Sequence, residues 1–400
     1  MTKNLHYFNP GHETAVHNGS SYYMPPSNVV KMQQDLEYLP AWYTDSKDYI
    51  LTKTDLRNFR KYWLENNLKL AQSVILEELS TVSPDFKVFP WGLSPQIIHF
   101  FDETSKSFNI ECKIPRWNKV LTDLTSRENS KSILQNISSS LVELDNNIIP
   151  VSFSSLPDIE NYIHKSKYQL LAKSPFSSSG RGLLWLPIGH LTQTEKQILH
   201  GMIKKQGRVF IEKALNKYID FAMEFYITKE GDITFVGYSL FETTTRGAYL
   251  GNILDSQTNI QRRITSAIDH NLLELVKINL QKILKDRFST VYSGYIGVDM
   301  MIYEDNGKYK LHPCLEINVR TNMGIIAINI YNEYLHPDSI GMFYIDFISE
   351  EEGIYKSDME LNEKYPAIIS DGKIKSGYLS LCPINDNTKY RAYILIEERL

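Results

Sequence analysis

Three cysteines in 400 residues, Cys112, Cys314 and Cys382, are too few and too far apart for a disulfide scaffold or a CxxC zinc site. Each is expected to act as a small buried hydrophobe. The ten histidines include no H-x-x-x-H pair, so no zinc site is expected. No stretch approaches the roughly 18 uninterrupted apolar residues of a membrane span. The segment from Met1 to Pro10 lacks the apolar core of a signal peptide, and the expected location is cytoplasmic. A basic balance is also missing. Lys and Arg number 43 against 47 Asp and Glu, a net charge of -4, which argues against nucleic acid as a partner. There is no repeat of solenoid period, and the nearest thing to low complexity is two serine clusters, Ser138 to Ser140 and Ser177 to Ser179. Neither a Walker A loop nor a G-x-S-x-G nucleophile elbow occurs.

What remains is ordinary globular composition, 42% hydrophobic and 22% charged, long enough for roughly two to three domains. Leu5 to Phe8 reads as a strand stopped by the turn Asn9-Pro10-Gly11-His12-Glu13. Asp48 to Leu51 reads as a second strand, Leu56 to Leu79 as a helix, and Lys87 to Gly92 as strand then turn with a helix from Ser94. Strands alternating with helices predict a parallel α/β domain over residues 1–115. Ser126 is placed to cap a helix running to Leu134. Ile148 to Ser152 predicts a strand and Ile159 to Ser166 a helix. Further on, Asp220 to Thr228 with Ile233 to Leu240, and Gly294 to Tyr303 with Tyr309 to Asn318, alternate like antiparallel pairs. A helix spans Asn271 to Phe288, and Tyr378 to Pro383 with Tyr390 to Glu397 form a closing strand pair.

Three features in the middle of the chain carry chemistry. Lys173 ends an apolar strand and is followed by Ser177-Ser178-Ser179-Gly180-Arg181-Gly182. A lysine there supplies a point charge for phosphate, and a small, flexible loop lets backbone N–H groups close over phosphate oxygens. The plainer alternative is a polar hairpin loop with a surface lysine. The second feature is Phe210-Ile211-Glu212-Lys213-Ala214-Leu215 with Asp220 eight residues after Glu212. It could offer backbone to a base and acid to a ribose, or simply end a strand in solvent. The third is Gly297-Val298-Asp299 with Glu316-Ile317-Asn318-Val319-Arg320 on the partner strand. Period-two alternation puts Glu316, Asn318 and Arg320 on one face, beside Asp299. Two carboxylates and an amide oxygen are hard ligands suited to Mg²⁺. A solvated face with cross-strand charge pairs is the other reading.

The order of these features resembles the ATP-grasp superfamily, whose members mostly join a carboxylate to an amine while consuming ATP. The resemblance covers roughly residues 115 to 345. It implies an α/β (α+β) ATP-grasp fold, with two lobes sandwiching ATP, preceded by an N-terminal α/β pre-ATP-grasp domain. The corresponding division is 1–115, a small lobe 116–205, a large lobe 206–345 and a strand-rich extension 346–400. The resemblance gives Lys173 a contact to the α- or β-phosphate and makes Ser178, Ser179, Gly180 and Gly182 part of the loop over the triphosphate. Glu212, Lys213 and Leu215 would line the adenine pocket, and Asp220 would take the ribose. Asp299, Glu316 and Asn318 would hold Mg²⁺. Arg320 would stabilise the transition state that forms an acyl phosphate. A basic residue at the start of the preceding helix falls on Arg127, where many members have lysine, with Lys131 as the alternative.

On the acceptor side, Arg246 could bind a substrate carboxylate, or be one arginine in a polar loop. Asn9, His12, Glu13, Trp91 and Gly92 follow predicted strands, where turns of a parallel sheet line the ligand crevice. His12 is weighed as a general base against a loop histidine that is simply solvated or hydrogen-bonded, and His312 reads as structural. The expected function is an ATP-dependent carboxylate–amine ligase using ATP and Mg²⁺. A kinase or phosphotransferase with the same nucleotide residues, and a non-catalytic nucleotide-binding protein, are the alternatives. Expected partners are small-molecule or peptide carboxylates and amines, with no nucleic acid, no membrane, and room for a homodimer.

Overall fold

Strands form where short β-branched or aromatic runs are stopped by turn residues. A computed structural model describes residues 2–177, 182–245 and 247–398. Its N-terminal strands are β1 (Lys3–Tyr7), β2 (Tyr49–Leu51), β3 (Gln72–Val74), β4 (Asp85–Pro90) and β5 (Glu111–Lys113). The middle of the chain holds β6 (Val151–Phe153), β7 (Leu170–Lys173), β8 (Leu183–Leu186), β9 (Val209–Lys213), β10 (Asn216–Ile227), β11 (Ile233–Thr243), β12 (Tyr249–Leu254), β13 (Gly294–Asp305) and β14 (Lys308–Asn318). The C-terminal strands are β15 (Ser339–Phe347), β16 (Ile368–Ser370), β17 (Lys373–Ser380) and β18 (Tyr390–Glu398). The chain folds into two compact units. The first comprises Met1–Asn118, Leu250–Ile260 and Arg320–Leu400, and the second Lys119–Tyr249 and Gln261–Val319.

In the first unit β3-β2-β1-β4-β5 form a parallel sheet, the predicted α/β arrangement. Ser94 caps the helix Pro95–Phe108 by accepting from the Ile97 amide, as its position before a proline at the helix start suggests. One expectation fails here. Leu56 to Leu79 is not one helix, because the helix Arg57–Glu65 stops and Asn67 turns the chain with φ 61. Leu68 and Leu70 are then buried on the way into β3. A three-residue parallel strand covered on both faces leaves no alternation to detect. The last residues complete the same core, because β18 pairs antiparallel with β15 and β17 with β18. Trp42 shows the closure, since its indole N–H donates to the Leu381 carbonyl at 2.7 Å, 339 positions away.

The second unit contains a four-stranded sheet, β6-β9-β7-β8. It also contains the antiparallel strands β14, β13, β10 and β11. Asn306 and Gly307, with φ 54 and 76, make the two-residue turn between β13 and β14, as the Asn-Gly pair favours. Along β10 and β13 the residues Phe221, Met223, Phe225, Ile296, Val298 and Met300 are buried. The helix His270–Phe288, capped by Asp269, packs against β10 and β11. Period-two geometry therefore turns Asp220, Glu224 and Asp299 to the opposite face. The helix Arg127–Ser140 packs on β14 and is capped by Ser126, as the sequence predicts.

Candidate functional site

On β13 and β14, Asp299 is the register partner of Glu316 and Gly297 that of Asn318. Residues opposite each other in antiparallel strands share a face, so Asp299, Glu316 and Asn318 lie together. The Asn318 amide donates to Asp299 Oδ2 at 3.1 Å. Among the described residues, no group of three or more His, Cys, Asp or Glu could hold a metal. The set present is two carboxylates and an amide. That donor set fits Mg²⁺, which takes one or two carboxylates and completes its shell with substrate phosphates and water. Arg320 does not extend this face. Strand β14 ends at Asn318, so alternation no longer governs the residue two places on.

Arg127, the first residue of its helix, is buried. Its Nε donates to the Ser174 carbonyl at 2.9 Å, and its Nη2 donates to Ser177 Oγ at 3.1 Å and to Glu316 Oε2 at 2.9 Å. One guanidinium thus ties the helix start, the segment after β7 and the Glu316 carboxylate together. Lys131 instead lies 3.8 Å from Glu128. Lys173, at the end of β7, is buried and ion-paired with Glu212 of β9. A crevice beside them is lined by Arg127, Lys131, Phe210, Glu212, His312 and Leu315. His312 is 2% exposed and its Nδ1 has no hydrogen-bond partner among the described residues. Burial, reinforced by the nearby Lys173 charge, pushes its pKa down to about 3, so the ring is neutral at pH 7. Cys314, on the same strand, is a buried thiol that donates to the Ser130 carbonyl.

Asp220 is buried and accepts from Lys217 at 2.8 Å and Thr243 at 2.6 Å, both on Oδ2. Lys213 lies over the Tyr168 ring, 4.7 Å from its centroid, and 3.8 Å from Asp305, so its ammonium is engaged away from Glu212. Leu215 is half-buried between β9 and β10. Gly182, with φ 78, gives its carbonyl to the Ser174 amide at 3.1 Å. Ser178, Ser179, Gly180 and Arg246 lie outside the described residues. Sequence reasoning missed Glu224. It is 1% exposed, accepts from Ser239 at 2.8 Å, and shares the face of Asp220 and Asp299. The alternation Asp220-Ala222-Glu224 was the available signal.

The first unit gathers another set. Arg320 Nε donates to Glu13 Oε1 at 2.6 Å. Burial raises the Glu13 carboxyl, but the Arg320 charge, His12 and hydrogen bonds from the backbone and Arg320 together outweigh it and hold the group below the usual carboxylate range. His12 is not a loop histidine in solvent. It is 3% exposed and opens the helix His12–Asn18. Its Nε2 lies 2.9 Å from the Leu93 carbonyl. Asn9 and Gly92 exchange two hydrogen bonds, 2.7 Å to the Gly92 carbonyl and 3.2 Å from its amide. Trp91 packs edge-on against Phe8 in the core, 5.1 Å between centroids.

No family model matches the sequence, and no curated protein does. Solved structures do match in shape. The biotin carboxylase domain of 2-oxoglutarate carboxylase from Hydrogenobacter thermophilus, solved with MgADP and bicarbonate, superposes with a TM-score of 0.54 at 12% identity, covering 100% of this chain and 86% of that one. Biotin carboxylase from Campylobacter jejuni gives 0.52 at 10% identity, covering 100% and 88%. An N5-carboxyaminoimidazole ribonucleotide synthetase, solved with ADP, gives 0.51 at 10% identity, covering 99% and 92%. The chain has the ATP-grasp fold expected from its motifs. Among the described residues, no helix is long and apolar enough to cross a membrane.

Proposed function

We propose that this protein is an ATP-dependent ligase that activates a carboxylate as an acyl phosphate and passes the acyl group to an amine or another nucleophile. The observation that carries the reading is the oxygen-ligand row of Asp299, Glu316 and Asn318, with Arg127 reaching from Glu316 to Ser177. This joins a metal-type donor set to the phosphate-loop segment through one cation. In this reading Lys173 and Arg127 hold phosphate oxygens, Glu212 and Leu215 border the base, and Asp220 takes the ribose through Oδ1. Asp299, Glu316 and Asn318 would hold Mg²⁺, which when bound offsets charge on the phosphates during transfer. The resemblance would have Arg320 stabilise the charge of acyl-phosphate formation, and in this structure its guanidinium is held by Glu13. Fold likeness to ATP-dependent enzymes supports the class, and the residues above support the nucleotide.

Calorimetric binding of ADP, with and without Mg²⁺, tests the reading. Wild type is expected to bind more tightly with Mg²⁺, and Glu316→Ala to lose that gain. A folded wild type that binds no adenine nucleotide under either condition would overturn it. A screen of acids and amines, read as ADP release and product mass, then separates ligation from phosphorylation.

A further inference from the structure

We propose that Gln206 is a positioning residue for phosphate binding. Its side-chain amide holds the main chain of Phe176 and thereby fixes Ser177, the residue that Arg127 grips beside Glu316. The inference rests on the nucleotide reading above.

The argument begins where a ladder ends. Strands β7 and β9 pair antiparallel, and the last register pair is Lys173 with Phe210. Pro175 has no N–H, so main-chain pairing cannot run on unbroken. Counting on in register, Phe176 falls opposite Gly207. That residue, with φ 79, closes the helix Gln193–Gln206, so the main chain there belongs to a helix end and not to a strand. The last helical side chain takes over instead. The Phe176 amide donates to Gln206 Oε1 at 2.8 Å, and Gln206 Nε2 donates to the Phe176 carbonyl at 3.0 Å. A carboxamide carries one donor face and one acceptor face, so it copies the pair of bonds that a neighbouring strand would make.

The segment after Lys173 is thus gripped from two helices. From the helix Arg127–Ser140, the Arg127 amide donates to the Pro175 carbonyl at 3.0 Å, and its guanidinium reaches Ser174 and Ser177. From the helix Gln193–Gln206, Gln206 takes both main-chain groups of Phe176. The Ser174 amide is spent on the Gly182 carbonyl. No amide between Lys173 and Ser177 is therefore left for a phosphate oxygen. This stretch acts as a mount, and the groups it sets in place are Lys173, Ser177 and the Arg127 guanidinium. Without Gln206, Phe176 loses both bonds, and Ser177 is held by Arg127 alone.

Calorimetric titration of the full chain with ADP and Mg²⁺ tests the inference. Gln206→Leu should weaken binding about tenfold, within what two neutral hydrogen bonds can transmit. Gln206→Glu supplies the readout that a loss of packing would not move. At pH 7 the introduced carboxylate only accepts, so it cannot serve the Phe176 carbonyl, and binding should be as weak as in Gln206→Leu. Once protonated it both donates and accepts, as the amide does. Facing a carbonyl favours that protonated form and raises its pKa. The affinity of Gln206→Glu relative to wild type should therefore recover as the pH falls from 7 to 5, while that of Gln206→Leu stays low. Full affinity in Gln206→Leu, or a Gln206→Glu ratio that does not change with pH, would overturn the inference. If Gln206→Leu does not fold, the pH series on Gln206→Glu decides alone. A wild type that binds no ADP fails the nucleotide reading and this inference together. A wild type that binds, with variants that bind equally well, overturns the inference alone.

Discussion

The charged recess of the second unit and the crevice of the first differ in the polar groups that line them. In the second, Arg127 faces Glu316, Lys173 faces Glu212, and Lys217 faces Asp220. Each cation is already matched to an anion, so a charged ligand must exchange partners rather than fill a vacancy. In the first unit the Arg320–Glu13 ion pair involves the chain neighbour of His12, a residue lining a crevice that has no lysine, arginine or carboxylate in its lining. Paired charges tolerate exchange at little net cost, because each ion keeps a counter-ion throughout. A neutral crevice instead discriminates through the direction of single hydrogen bonds.

The sharpest way to break this contrast is at Lys173. Lys173→Met should weaken ADP binding about a hundredfold, near 2.7 kcal/mol, by removing a charge-assisted contact. It should also destabilise the fold by leaving the buried Glu212 carboxylate alone. Adding Glu212→Gln should restore the urea midpoint but not the affinity. If affinity returns as well, Lys173 does not hold phosphate. Next in size is Gly92→Ala, where crowding against the His12 ring should cost about 2 kcal/mol in a urea melt. A neutral result would show that the ring has room to move.

A pH series sharpens the comparison further. His312 has a folded pKa of about 3 against the ordinary 6.5. Below pH 6.5 the unfolded chain takes up this proton and the folded chain does not, so stability falls with pH down towards 3. The slope is about 1.4 kcal/mol per pH unit for one group. His12 is shifted in the same direction. His312→Gln should therefore reduce the acid slope between pH 6 and 4 without abolishing it, and an unchanged slope would place that proton elsewhere. The smallest effect is expected at Glu13, worth about 1 kcal/mol through its bond to Arg320. Its carboxyl is held below the ordinary 4.5, so this contribution is complete above that pH and is lost as pH falls through the lowered value. Glu13→Gln should cost that amount at pH 7 and nothing in strong acid.

Legibility in the sequence followed the same divide. The long hairpins of the second unit were readable because a face buried against a helix and a face carrying Asp299 and Glu316 enforce strict alternation. Ser94 and Ser126 announced their helices because an N-cap needs a short side chain that accepts. The three-residue strand β3 and the break after Glu65 were harder, since three residues are too few to show a period, whereas β2 was read within Asp48 to Leu51. Arg320 was placed on a strand face because alternation was carried past Asn318, where the strand ends. The setting of His12 was hard to read for one reason. A histidine's chemistry is set by what its nitrogens meet, and those partners, the Leu93 carbonyl or none, are far away along the chain or absent.

The three contacts of Arg127 have a consequence for substitution. A guanidinium has five N–H bonds. Ser174 takes the one on Nε, and Ser177 and Glu316 take both on Nη2. The pair on Nη1 is unspent on any described residue. A lysine has three, so the same three contacts would exhaust it. Arg127→Lys conserves charge and still forces a choice between holding Ser174, Ser177 and Glu316 and meeting an incoming phosphate. At this position the number of hydrogens, rather than the sign of the charge, decides which residue can serve.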